Sequence, residues 1–396
     1  MLKSLRSVLA ASVANLLGAC LLTASAGATN YEVVYRFKGG SDGFAPVAGP
    51  TRVGNVLYGT TSVGGGSGCF SAGCGTVFKV TPSGSETVLY RFTGGSDGQY
   101  PIGRLLSAAN ALYGTTAYGG AFDDGTVFRI TADGVEEVIH SFRYDVDGGG
   151  PTSSLEYYNG VLYGDTSSSA FRMTLRGVVQ NIATLKGSGD LNYPAGNMLD
   201  ILGVLYGTTG TGGNDCLFLD TGTCGTVFTL PPSGSATVLH SFSGIDGAFP
   251  SGNIAHIGTT IYGTSQWGGK HNLGAVYSIT TTGVEKVVYS FRGIGDGPKK
   301  AGDGANPIGG IIVYNGELYG TTGSGGTFNL GTVFKLTRKG VETVLYSFKG
   351  GSDGAYPEGT LLNVNGMLYG TTSKGGYGGI TCEQNDGCGT VFKITP

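Results

Sequence analysis

From residue 31 onward the chain alternates apolar and polar positions in short runs, each closed by glycine, proline, asparagine or serine. "NALYGTT" (110–116), "GTVFRIT" (125–131) and "VEEVIHSF" (135–142) are rich in β-branched and aromatic residues, and their two-residue period predicts strands. "TADG" at 131–134 is a good hairpin connector. No helical period holds for more than a turn or two after residue 28.

The runs recur. Aligned on the tyrosine of "LYGTT", they give Tyr58, Tyr113, Tyr163, Tyr206, Tyr262, Tyr319 and Tyr369, at spacings of 55, 50, 43, 56, 57 and 50. Periods of this size belong to solenoids, propellers or arrays. Each unit holds four strand segments, A to D. In the second unit these are 101–108, 110–116, 125–131 and 135–142. Four antiparallel strands per unit predict a propeller blade, and the chain 29–396 is read as one all-β, seven-bladed β-propeller of about 50-residue repeats.

Counting strands tests this reading. The seventh unit stops at its C strand, "GTVFKIT" (389–395), while a spare D-type strand, "YEVVYRF" (31–37), stands at the other end. A ring closes if that N-terminal strand completes the last blade, removing the exposed edges of an open array. Strand parity then puts the B-to-C loops and the D-to-A links on one face.

Composition supports the turns rather than a new element. Of 396 residues 76 are glycine, yet 40% are apolar and 10% aromatic, too many for a disordered chain. Only 13% are charged, the net charge is -3, and no basic cluster is present, so nucleic acid is not an expected partner. No apolar run of about 20 residues follows residue 28, so no spanning helix is expected. A monomer is expected.

Residues 1–28 differ. Lys3 and Arg6 precede an apolar run ending in "TASAGA", the pattern of a secretory signal cleaved after Ala26 or Ala28. "LGAC" at 17–20 offers a rival, a lipoprotein box with Cys20 acylated, against which Leu21 and Leu22 directly after it argue. Removing Lys3 and Arg6 leaves 22 basic residues against 27 acids, a mature charge of -5 that suits a secreted extracellular or periplasmic protein. The other six cysteines form local pairs, Cys69 with Cys74, Cys216 with Cys224 and Cys382 with Cys388, each bracketing a B-to-C loop. Export makes disulfides the preferred reading; zinc is the alternative, but no histidine stands at ligand spacing.

The units "LYGTTSVGGG", "GTVFKVTPSG", "ETVLYRF" and "GGSDG" followed by proline resemble the GloVer (Gloeo_Verruco) tandem repeat of bacterial choice-of-anchor exported proteins, over essentially residues 31–396. The resemblance implies an exported repeat protein and brings no catalytic residues. The chain ends inside a repeat strand rather than in the family's C-terminal anchor, so free secretion is expected over wall attachment.

Candidate chemistry is sparse. Asp42, Asp97, Asp147, Asp190, Asp246, Asp303 and Asp353 each stand four residues before a proline. Such a ring could hold calcium, but Asp-Gly is a favoured turn pair and no second acid stands beside each Asp, so a structural turn is preferred and no cofactor is assigned. Repeated residues are explained by blade geometry, so chemistry is sought where the repeat breaks. His140 and His240 take the place of Tyr35, Tyr90, Tyr289 and Tyr346 and read as aromatic replacements. His256 lies on an inner A strand, as packing or channel lining. Gln266, Trp267, Lys270 and His271 share the B-to-C loop of blade 5, and Trp267, the only tryptophan, could stack on a sugar, anchor a protein contact or cover a gap between blades. The expected function is a binding scaffold using the loop face for glycan or protein. The alternative is an extracellular hydrolase or lyase at the channel mouth, which three or more converging non-repeat polar side chains would favour.

Overall fold

The computed structural model describes residues 30–66, 68–69, 72–184, 192–213, 216, 222–231, 235–293, 302–376, 382 and 387–396. The proposed signal segment 1–28 and Asp190 lie outside these residues. Seven four-stranded antiparallel sheets form the blades, and the only helical elements among the described residues are short 3-10 turns such as Gly40–Asp42. No helix of the described residues is long and apolar enough to cross a membrane.

The ring closes as the strand count requires. Tyr31–Arg36 pairs antiparallel with Thr390–Ile394, completing the sheet with Met367–Thr372 and Leu362–Val364. The register runs from Tyr31 opposite Ile394 to Arg36 opposite Thr390.

The recurrent motif is explained position by position. In blade 2, Leu112 and Tyr113 are buried in the cores on either side of the blade. Gly114 lies against the ring of Phe128, so a Cβ there would sit 2.4 Å from the ring. Thr115 donates to the Ser153 carbonyl of blade 3 at 3.1 Å. In the same way Thr371 of blade 7 donates to the Ala48 carbonyl of blade 1 at 2.9 Å. Thr116 pairs its hydroxyl with that of Thr126 at 2.8 Å, joining strands B and C inside the blade. Six of the seven D strands, all but that of blade 3, are followed by a phenylalanine that packs against the next blade's C strand, edge-on in five cases, as Phe92 does on Phe128 at 5.1 Å, and tilted for Phe142 on Phe171.

The A strands depart from the sequence expectation. The predicted strand 101–108 is reduced to Leu106–Ala108, because Pro101 has no amide for the ladder and the residues after it run unpaired along the channel wall. Blades 4 and 5 absorb the same proline with a register shift and keep longer A strands, Asn192–Ile201 and Ala248–Ile257. The cysteine pairs are disulfides, with Cα atoms 5.1–5.2 Å apart, inside the range such bonds need.

Candidate functional site

The A strands carry the site. The third residue after the A-segment proline is Gly49, Arg104, Ser154, Asn197, Asn253, Gly310 or Thr360 in blades 1 to 7, a position that never repeats a charge. It faces the central channel. A cavity of about 230 Å³ at the loop-face end of the channel touches all seven blades, and a deeper one of about 160 Å³ continues below it. Arg104, Ser154 and Asn253 line both, Glu358 the mouth, and Asn197 and Glu156 the deeper part.

Arg104 is the central group. It is partly buried where it borders the channel. That burial lowers its pKa below the ordinary guanidinium value, while the charge of Glu156 works the other way. Its Nε donates to Thr51 Oγ1 at 3.1 Å, and its backbone amide donates to Ser154 Oγ at 3.1 Å. The Thr51 hydroxyl in turn donates to the Leu105 carbonyl, which fixes it as an acceptor for Arg104. No carboxylate among the described residues lies within 4.0 Å of Arg104. Glu156 is pushed up to about 7 by burial first and by the charge of Asp200 second, with Arg104 pulling it back. Burial likewise raises Glu358, opposed by the Ser373 hydroxyl that donates to it at 3.1 Å. Asn197 Oδ1 is spent on the Ile254 amide at 3.2 Å, while the Asn253 side chain has no protein partner among the described residues.

Blade 3 holds a second irregularity. Its motif reads "LYGDT", and Asp165 takes the place of the threonine that bolts blades together. Burial pushes it up to about 7 against a hydrogen bond with Ser153, and its Oδ1 has no partner. Blade 5 is irregular in the same layer. Ala275 replaces the C-strand threonine, leaving the buried Ser265 hydroxyl unpartnered, and Tyr277, in place of the C-strand phenylalanine, adds a second buried hydroxyl without a partner among the described residues.

The rim differs from the sequence expectation in one respect. The turn aspartates do cap backbone, as in Lys38 N to Asp42 Oδ2 at 2.7 Å and Arg143 N to Asp147 Oδ1 at 2.7 Å. They also bind the D-strand tyrosine, Tyr35 to Asp42 at 3.0 Å and Tyr90 to Asp97 at 3.0 Å. However, a second acid does stand beside several of them, because the next blade's D strand begins with glutamate. Glu86 reaches about 7 through burial and then the charge of Asp42; Glu136 behaves alike beside Asp97, and Glu342 reaches about 8 beside Asp303. The contact joins residues some 40 positions apart, so local spacing hid it; the recurring "E" before "TV" was its one signal.

The sequence-predicted residues fall in three places. His140 and His240 replace tyrosine in full: each lies edge-on to Phe142 or Phe242, and each Nε2 meets Asp147 or Asp246 at 2.6 and 2.9 Å. His256 is exposed beside the A–B turn, with Nδ1 2.8 Å from the Gly258 carbonyl, rather than in a core or the channel cavities. The A strand ends at Ile257, so His256 sits at its far end, opposite the loop face. Trp267 ends the B strand of blade 5 half-buried against the core between blades 4 and 5, with Gln266 beside it. Lys270 and His271 are exposed over an outer groove with Tyr289 and Arg292. Arg104, Glu156 and Asp165 were not foreseen; their signal was a charge at a channel or bolt position that is neutral in the other blades.

Fold and channel together define a seven-bladed propeller with a central cavity into which several blades bring polar groups. The chain belongs to the Gloeobacter/Verrucomicrobia repeat family, whose model matches residues 20–217 and 165–382. No curated protein matches it. Among solved structures it is similar to a streptogramin B lyase, at 13% identity and a TM-score of 0.57, over 93% of this chain and 97% of that one. It is also similar to a gluconolactonase from Xanthomonas campestris (12% identity, TM-score 0.44, 81% and 89% covered) and to a luciferin-regenerating enzyme (13%, 0.45, 93% and 95%). At these identities the likeness is one of fold.

Proposed function

We propose that the protein is a binding propeller that takes a small acidic ligand, of sugar-acid size, in the mouth of its central channel. One observation carries this: Arg104 lines the cavity partly buried, and its guanidinium has a single side-chain partner among the described residues, the neutral Thr51 hydroxyl. A partly buried cation that has no carboxylate within ion-pair distance, Glu156 acting on it only from farther off, costs stability, so a site that keeps one suits an anion supplied from outside. Asn253, Ser154 and Thr360 at the same level offer hydrogen bonds to hydroxyl groups. The cavity's size suits a ligand of one ring.

Calorimetry with glucuronate and glucose tests it. Glucuronate binds and glucose binds at least tenfold more weakly, and Arg104→Gln removes the preference. Equal binding of the two sugars, or an unchanged preference in the variant, overturns the proposal.

A catalytic role for the same cavity is the second reading, favoured by Glu156. A carboxyl titrating at about 7 beside a guanidinium is suited to proton transfer at neutral pH. The number of converging polar groups meets the criterion set for an enzyme, but their kind is less decisive, since the residues lining the two cavities include no histidine or cysteine. Turnover of a bound sugar acid that Glu156→Gln abolishes, with binding kept, would establish it. A glycan or protein partner on the loop face would instead meet Lys270 and His271, and Trp267→Ala tests that surface. Export, by the N-terminal segment, accords with the three disulfides.

A further inference from the structure

The rim clusters differ from one another in a telling way. At each, a D-strand aromatic residue meets the turn aspartate that follows it, and the first D-strand residue of the next blade completes the group. The sets are Tyr35–Asp42–Glu86, Tyr90–Asp97–Glu136, His140–Asp147–Val179, His240–Asp246–Glu285, Tyr289–Asp303–Glu342 and Tyr346–Asp353–Tyr31. A neutral phenol is a poor ligand for a divalent ion, so the tyrosine sets are hydrogen-bonded braces. His140 has its aspartate but a valine in the third place. Only the set between blades 4 and 5, among the described residues, joins an imidazole to two carboxylates.

From this we infer that His240, Asp246 and Glu285 form a binding site for a divalent transition cation of the zinc class, stapling the outer strand of blade 4 to that of blade 5. Their ligand atoms all lie within 4.8 Å of one another, close enough to converge on one ion at about 2.0–2.2 Å with small side-chain movements. Glu285 Oε1 is buried and has no hydrogen-bond partner. The site is held from behind: Asp246 Oδ1 accepts from the Ser243 amide at 2.8 Å and its hydroxyl at 2.9 Å, leaving Oδ2 toward His240, whose ring rests edge-on against Phe242. The site is partly open to solvent, which leaves a fourth position for water. One nitrogen and two carboxylates suit zinc better than calcium, which asks for six to eight oxygens.

The other blades supply the control. His240→Tyr recreates the Tyr–Asp–Glu brace of three other interfaces, so the variant is expected to fold. The full chain, stripped with a chelator, is titrated with zinc chloride and its thermal midpoint followed. Wild type binds one equivalent and its midpoint rises. His240→Tyr and Glu285→Gln each weaken binding at least tenfold and lose the midpoint rise, His140→Tyr leaves both unchanged, and calcium chloride gives no such rise. Zinc binding by His240→Tyr within about twofold of wild type, no binding by wild type, or an equal loss in His140→Tyr overturns the inference.

Discussion

Tyr31 stacks face to face on Tyr346, ring centroids 3.8 Å apart and planes 6° from parallel, so the strand Tyr31–Arg36 is packed against the outer strand of blade 6. The same ring meets Phe348 edge-on and Phe392 at a tilt, and its hydroxyl donates to the Asp353 carbonyl. Tyr31→Ala removes all of these contacts at the seam of the ring. It is expected to cost about 3 kcal/mol in urea unfolding. An effect below about 1 kcal/mol would mean the seam contributes little.

The glycine of the recurrent motif faces a ring in every blade with a C-strand phenylalanine, as Gly59 faces Phe78 at 2.5 Å from an added Cβ. Gly59→Ala therefore overpacks a core with no room to yield. A loss of about 2 kcal/mol is expected, and the double variant Gly59→Ala with Phe78→Leu recovers part of it.

Blade 5 carries buried hydroxyls that its neighbours satisfy. In blade 2, Thr116 and Thr126 pair; in blade 5 the equivalent of Thr126 is Ala275, and Ser265 is left alone. Ala275→Thr supplies the missing partner and is expected to raise stability by about 1 kcal/mol, measured by thermal or denaturant unfolding. No gain would mean the blade cannot admit the added methyl and hydroxyl.

Stability is expected to fall as pH rises from about 4 to about 7. Asp165, Glu86, Glu136 and Glu156 are each raised to about 7 in the fold. The unfolded chain releases these protons near pH 4 and the folded chain holds them until near 7, so in this window the folded state binds more protons and each pH step favours unfolding. Asp165→Thr restores the blade-bridging threonine and is expected to flatten the slope. At pH 8 it should also add about 1–3 kcal/mol, because a buried unsatisfied group is removed. An unchanged pH profile in that variant would place the slope elsewhere.

The sequence carried the parts of this fold that repeat. Seven tyrosines in register gave the blades, and the spare strand 31–37 gave the closure, because a missing D strand at one end and an extra one at the other leave a single arrangement. The cysteine pairs and the tyrosine-like role of His140 and His240 were legible for the same reason, each being a local departure from a known template. The channel was not. Arg104 and Glu156 lie on the A segments of blades 2 and 3, each only partly strand, so alternation does not tell which side chains face the axis. The second acid beside each turn aspartate was missed because it comes from the neighbouring blade. His256 was placed on an inner strand correctly, but the strand's far end opens to solvent.

The closure through Tyr31–Arg36 bears on how the chain is made. Blades 1 to 6 are each contiguous in sequence and can form in order as the polypeptide lengthens. The strand that emerges first has to wait, its pairing edge unoccupied, until Thr390–Ile394 has been synthesised. The three disulfides, spanning 5, 8 and 6 residues, need no such wait and can form on a growing chain. Assembly thus separates into early local events and one late event that joins strands from opposite ends of the repeat array, and a chain truncated before Thr390 would keep six blades while losing the latch.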